Sequence, residues 1–264
     1  YSCPVVDQLW GPDPAEGQEQ DRGARRPAVF VATPMYGGMA MGAYVSSLAQ
    51  TSAIFIQNGL GLLYQYRMND ALVANARNQL AHQFLESQAT HLMWIDADIG
   101  FNPTDIVSMV LADQDIVCGV YPMKAIDWKR VAQAVNDGVP PEELKSHVGA
   151  FVVDPIDGTP GSAAANSDGL VEIAAGGAGF MLVKRVVFEA LSPEVPEYAI
   201  EGMVVKEFYT TGIDPESSEL VSEDYYFCRL ARSFGFKVYA APWVRLTHTG
   251  PYIYESQLQP NWLT

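Results

Sequence analysis

Leu92-Met93-Trp94-Ile95 has no polar side, and two carboxylates, Asp96 and Asp98, follow it at once. A strand that is apolar on both faces belongs inside a sheet that is covered on both sides. The run stops where charge begins, so the acids stand at a strand's carboxyl end. In an extended chain, residues i and i+2 point the same way, so Asp96 and Asp98 are expected to face one site. Neighbouring carboxylates repel, and each resists ionising. A divalent cation relieves that repulsion, and oxygen ligands suit Mg²⁺ or Mn²⁺. The spacing alone leaves a second reading of equal weight, a strand-end turn with two solvated acids.

The segments before this run place it third in a series. Residues 28–33 form a strand without a polar face, followed by the loop Pro34-Met35-Tyr36-Gly37-Gly38 and a helix over about residues 40–51. A buried strand, a Gly-rich loop and a helix open a nucleotide-binding α/β unit. The loop lacks the spacing of a dinucleotide fingerprint or a P-loop. Residues 61–66 read as a second strand. Asn69 or Asp70 then caps a helix whose buried stripe is Leu72, Ala76, Leu80 and Phe84. Arg77 lies off that stripe, where it is a solvated charge, a phosphate ligand or a partner for Asp96. Pro103 starts a further helix with Asn102 as its cap, and residues 115–120 form the next strand. Strand and helix thus alternate as in a mainly parallel sheet with right-handed crossovers. Ligands of such sheets bind at the carboxyl ends of the strands, where Asp96 and Asp98 fall.

The second half is less regular. Residues 127–146 read as surface helix interrupted by Val139-Pro140-Pro141, and residues 148–153 and 170–174 as strands. Gly176-Gly177-Ala178-Gly179 leads into the apolar strand 180–183, and its glycines suit close approach of a substrate. A short helix spans 185–191. Residues 193–215 are irregular, with a strand near 204–209. Ser222 caps a last helix with Phe227, Leu230, Ala231 and Phe234 buried and Gly235 at its end. Glu223 and Asp224 lie in its first turn, where the helix dipole alone favours acids. Strands at 237–241 and 244–249 follow, and the latter carries His248. A lone His is more often a core or surface residue than a ligand.

Composition narrows the partners. The chain has 264 residues, 48% of them hydrophobic, enough for a sizeable core. With 31 acids against 16 bases the net charge is −15. Duplex DNA therefore ranks low as a partner, because it needs a broad Lys/Arg surface. No apolar run is long enough to span a bilayer and no signal-peptide pattern is present. Three cysteines without regular spacing form neither a disulfide framework nor a zinc motif. Cys118 and Cys228 are expected in the core, with Cys3 in an irregular arm. The cytoplasm is the expected compartment, that of the host if the gene is viral.

Taken in order, Trp94-Ile95-Asp96-Ala97-Asp98, Gly176-Gly177-Ala178-Gly179-Phe180-Met181, Ser222-Glu223-Asp224 and His248 resemble the nucleotide-sugar-dependent glycosyltransferases of the GT-A fold. Thr33-Pro34-Met35-Tyr36-Gly37-Gly38, Ala76-Arg77-Asn78 and residues 91–101 and 115–124 are similar to glycosyltransferase-like proteins of bacteriophages. The resemblance spans about residues 28–250. It implies a single Rossmann-like domain with a mixed, mainly parallel sheet flanked by helices. Residues 1–26 would be an arm, 27–125 the nucleotide-sugar half, 126–250 the acceptor-binding and catalytic half, and 251–264 a tail. The arm would pack on the body or join a second copy of the chain.

The resemblance also implies roles. Asp98, Asp96 and His248 would hold Mn²⁺ or Mg²⁺, with Asp96 alternatively on the ribose. Thr33, Pro34, Met35, Tyr36, Arg77 and Ala97 would bind the nucleotide, a UDP-sugar being favoured. Gly177, Gly179 and Phe180 would border the sugar and acceptor. Asp224, with Glu223 second, would be the base of an inverting transfer to a hydroxyl on a glycan, a protein or a modified base. The competing readings are an Asp-nucleophile phosphohydrolase and a non-catalytic nucleotide- or glycan-binding module.

Overall fold

Side-chain alternation builds the sheet from both of its faces. In the computed structural model, which describes residues 26–156 and 164–252, strand β1 (Ala28–Met35) sends Val29 and Val31 into one core and Phe30 and Ala32 into the other. A 3₁₀ turn (Tyr36–Gly38), α1 (Gly42–Gln57), β2 (Gly61–Met68), α2 (Val73–Glu86), β3 (His91–Ile95), β4 (Ile99–Gly100), α3 (Pro103–Leu111) and β5 (Ile116–Gly119) follow. The second half holds α4 (Trp128–Asn136), β6 (Val153–Pro155), β7 (Val171–Gly176), β8 (Phe180–Lys184), α5 (Arg185–Leu191), β9 (Glu197–Ile200) and β10 (Met203–Lys206). It ends with β11 (Gly212–Ile213), β12 (Leu220–Val221), α6 (Glu223–Ser233), β13 (Val238–Ala241) and β14 (Thr247–His248).

Eight strands form one sheet in the order β2-β1-β3-β8-β5-β13-β7-β6. Strands β1, β2 and β3 are parallel, as are β5 and β13. Strand β8 runs antiparallel between β3 and β5, and β7 antiparallel between β13 and β6. The result is the expected mixed, mainly parallel α/β sheet. Helices α2, α5 and α6 cover one face with Leu80, Phe84, Phe188 and Phe227, packed around Phe30, Trp94, Cys118 and Met181. Helices α1 and α3 cover the other with Tyr44, Phe55, Ile106 and Met109, around Val31, Met93, Val117 and Phe180. Cys118 and Cys228 are buried as expected. No helix among the described residues is long and apolar enough to cross a membrane.

Several local expectations change. Strands β8 and β13, from the second half of the chain, flank β5 from the first. Helix α1 runs to Gln57, since Phe55 continues the buried face one turn past Thr51. Leu72 is 69% exposed and stands in an extended N-cap position before α2, so the stripe begins at Ala76. Asp70 does not cap α2 but accepts from the Leu72 amide at 3.1 Å, upstream of the helix. Asn102 does cap α3, accepting from the Thr104 amide. The strand expected at 148–153 is reduced to a bridge at Phe151, with β6 following it. Phe234 is 43% exposed at the end of α6, where Gly235 at φ +87° stops the helix. Cys3, nearly all of the expected arm and the tail beyond residue 252 lie outside the described residues, and with them the expected contact between copies.

Candidate active site

Strand β3 ends at Ile95, and the chain turns through Asp96-Ala97-Asp98 before β4. Three distant segments hold the main chain of this turn. The Asp96 amide donates to the Gly179 carbonyl at 2.9 Å, the Met41 amide to the Ala97 carbonyl at 2.8 Å, and the Thr249 amide to the Asp98 carbonyl at 2.9 Å. Because the residues turn rather than extend, the two carboxylates have different partners. Asp96 accepts from Arg77 Nη2 at 3.0 Å, while Asp98 faces Lys124 and His248.

Pairing of β14 with β4 sets His248 against Ile99, beside Asp98. Gly100 permits this approach, since a Cβ there would lie 2.5 Å from Thr247 Oγ1 and 2.8 Å from Ala43 Cβ. The His248 ring packs edge-on to Tyr121 at 5.2 Å, and its Nδ1 lies 2.7 Å from the Pro122 carbonyl oxygen. A carbonyl only accepts, so Nδ1 carries the hydrogen and Nε2 of the neutral ring presents a lone pair. That lone pair is 3.5 Å from Asp98 Oδ1, a buried oxygen with no hydrogen-bond donor. The Lys124 ammonium bonds the other oxygen, Oδ2. Burial acts to raise the Asp98 pKa, but the Lys124 ammonium and, when its ring is protonated, His248 outweigh it and hold the carboxyl below its ordinary range.

Two acceptors facing each other, with the imidazole oriented through its other nitrogen, form a donor pair that fits a divalent cation. Among the described residues no group of three or more His, Cys, Asp or Glu side chains is arranged around a metal position. The chain would thus supply two ligands, Asp98 and His248, and leave the other positions to water and substrate oxygens. Asp96, expected on the metal or on the ribose, lines the first cavity with its Oδ1 paired to Arg77.

Arg77 is 3% exposed, not a solvated helix charge. Its guanidinium reaches Asp96, Glu223 Oε1 at 3.4 Å and the Ala178 carbonyl at 3.5 Å, and lies 5.3 Å from the centre of the Trp94 ring. Burial works against its charge, yet Asp96 and Glu223 raise its pKa above the ordinary arginine value. Arg77 is therefore buried behind Asp96, the pairing that the sequence also allowed, and faces a second carboxylate, Glu223.

The glycines of the 176–179 segment serve the protein's own packing. A Cβ on Gly177 would overlap the Tyr121 hydroxyl, and one on Gly179 would lie 2.7 Å from Tyr121 Cζ. The Gly179 amide donates to Tyr121 Oη at 3.1 Å. Gly177, Gly179 and Phe180 are all buried, Phe180 against Phe101, so they do not offer the surface expected for sugar and acceptor. Thr33 is likewise buried, bonded to Tyr44 Oη at 2.8 Å rather than open to a nucleotide.

Asp98 lines one cavity, and its partners Lys124 and His248 line another. The first, about 330 Å³, is lined by Pro34, Met35, Tyr36, Asp96, Ala97 and Asp98, and also by Met39, Met41, Arg67, Asp70 and Val73. The second, about 940 Å³, is lined by Lys124 and His248 together with Trp128, Lys145, Phe151 and Arg245. Glu223 and Asp224 border neither. Asp224 takes hydrogen bonds from Ser222 Oγ, the Tyr225 amide and the Ala178 amide at 3.4 Å. Sequence reasoning did not assign Lys124, Tyr121, Arg67 or Asp70 to the site. Lys124 and Tyr121 did carry a signal, since both lie just past the carboxyl end of β5.

No protein-family model matches the chain, and no curated protein matches it. Among solved structures it is similar to A197 from STIV, at 16% identity over 85% of this chain and 86% of that one, with a TM-score of 0.49. It is also similar to GalNAc-T7 solved with UDP, GalNAc and Mn²⁺, at 12% identity over 84% of this chain and a TM-score of 0.45. A third is S. aureus TarS 1-349, at 13% identity over 84% of this chain and a TM-score of 0.40. The chain spans 43% of the GalNAc-T7 chain and 60% of the TarS chain.

Proposed function

We propose that this chain is a metal-dependent glycosyltransferase that moves a sugar from a nucleoside-diphosphate sugar to a hydroxyl acceptor. The observation that carries this reading is the arrangement at Asp98. An unsatisfied carboxylate oxygen, in the lining of the first cavity, faces an oriented imidazole in the lining of the second. Mn²⁺ or Mg²⁺ held by Asp98 and His248 would stabilise the negative charge that develops on a departing diphosphate.

The chain's own side chains supply binding and orientation. Tyr36, exposed at the mouth of the first cavity, offers a face for a base, with Met35 and Pro34 beside it. Asp96, aimed by Arg77, is the acceptor for ribose hydroxyls. The acceptor substrate occupies the second cavity. Of the two acids Asp224 is the freer, because Glu223 is engaged by Arg77 while Asp224 is held only by a hydroxyl and main-chain amides; it borders neither cavity, so its assignment as base rests on the sequence resemblance. In an inverting transfer the acceptor's hydroxyl proton would pass to a carboxylate base, its oxygen would bond to the sugar carbon, and the carbon–oxygen bond to the diphosphate would break.

The test is incubation with UDP-, GDP-, CDP- and dTDP-sugars and Mn²⁺, following nucleoside diphosphate release. Release from at least one donor, abolished by EDTA, is expected. Phosphate release from p-nitrophenyl phosphate with no donor turned over would replace this reading by a phosphohydrolase. Tight nucleotide binding without turnover of any donor would replace it by a binding module.

A further inference from the structure

The geometry points to an acceptor that is anionic: a short carbohydrate or polyol chain bearing phosphate or carboxylate groups, held in the second cavity. This rests on the transfer reading above and specifies its second substrate. The chain carries about two acids for every base, 31 against 16. The second cavity reverses that balance, since its lining among the described residues includes Lys124, Lys145 and Arg245 and no carboxylate. Lys145 and Arg245 are exposed and have no ion pair among the described residues. They flank the opening from different segments, the turn after α4 and the stretch before β14. Lys124 stands at the inner end, on Asp98.

Between these charges lie apolar and aromatic surfaces: Trp128, Phe151, Met123 and Ile126, all exposed, together with Tyr252. Aromatic faces take the C–H faces of sugars or a base, and cations placed around them select for negative groups. The volume of about 940 Å³ suits a ligand of a few sugar or polyol units. A long nucleic-acid strand would extend past the cavity over a surface whose net charge is −15, which repels it. A short anionic chain gains the local attraction without that penalty. Its reacting hydroxyl then lies next to Lys124 and His248, the two partners of Asp98.

The experiment is calorimetric titration of the full chain, loaded with Mn²⁺ and UDP, against four probes. These are a glycerol-phosphate oligomer, a glucuronate-terminated disaccharide, neutral maltotriose and hexathymidylate. At least one of the two anionic carbohydrate probes is expected to bind about tenfold tighter than maltotriose. That margin should shrink on raising NaCl from about 50 to about 500 mM. It should also disappear in the exposed double variant Lys145→Ala/Arg245→Ala, and Lys145→Glu should reverse it. Equal affinity for charged and neutral probes, or a margin that survives in the double variant, overturns the proposal. Preferred binding of hexathymidylate overturns it in favour of a nucleic acid. UDP–Mn²⁺ binding is measured first on the same preparation, so loss of the donor reading is seen separately from loss of the acceptor preference.

Discussion

At the scale of single residues, Asp98 has one oxygen occupied by an ammonium and the other facing an imidazole lone pair. Replacing it by Asn keeps the shape and removes the charge. Asp98→Asn, like His248→Ala, should weaken Mn²⁺-dependent UDP binding at least about tenfold in calorimetry, and unchanged affinity would remove the pair as metal ligands. Lys124 competes with any cation for the same carboxylate. Lys124→Met should therefore tighten binding of Mn²⁺ alone about fivefold, matching about 1 kcal/mol for a part-exposed ion pair. A weaker affinity would mean that the ammonium assists the metal instead. Asp224→Asn should retain donor binding and lose transfer by about 100-fold or more. Near-normal turnover would move the base elsewhere. His91 reports on pH. Burial, with Lys184 nearby, lowers its pKa from 6.5 to about 4. The unfolded chain thus takes up a proton that the folded one refuses. Stability is complete above about pH 6.5 and falls by up to about 3 kcal/mol as the pH drops to about 4. In urea titrations between those limits, His91→Gln should show a flatter pH dependence than the parent chain.

At the scale of elements, the segment joining β7 to β8 crosses over Tyr121 with no room for a side chain. Gly177→Ala should cost about 1–3 kcal/mol in thermal denaturation, and clearly less in a Tyr121→Leu background. An equal loss in both backgrounds would detach the glycine from the tyrosine. The glycines were legible in the sequence as a place of close approach, but not what approaches. Spacing reports that space is needed, and only the fold says whether a ligand or a ring fills it. The same limit applies to Arg77. Its pairing with Asp96 was among the sequence readings and is what forms, but Glu223 comes from α6, and nothing near Arg77 in sequence announces it. Helix caps that depend on neighbours in sequence were more accessible, as Asn102 shows. Leu72 was misplaced because its periodicity fits a helix that had not yet begun.

At the scale of the whole molecule, the alternation of strand and helix was enough for a mixed, mainly parallel sheet, but not for its strand order. Nothing local to β8 tells that it inserts between β3 and β5, because its apolar residues would suit any interior position. The insertion makes the two halves of the chain interdependent. A fragment of residues 27–125 would leave facing edges of β3 and β5 unpaired, so it should show no cooperative melt, whereas residues 26–252 should melt in a single transition. Arg77→Met, which leaves Asp96 and Glu223 uncompensated, should lower the stability of the whole by about 3 kcal/mol in urea unfolding. The turn at Asp96-Ala97-Asp98 is held by its peptide groups, to Gly179, Met41 and Thr249, with Asp96 tied in addition to the buried Arg77. Scaffold and chemistry are therefore separable at Ala97 and Asp98. The side chains at 97 and 98 can be exchanged while the peptide path stays put, so the chemistry of the turn is open to substitution there without redesign of the sheet beneath, whereas Asp96 is bound to the core through Arg77.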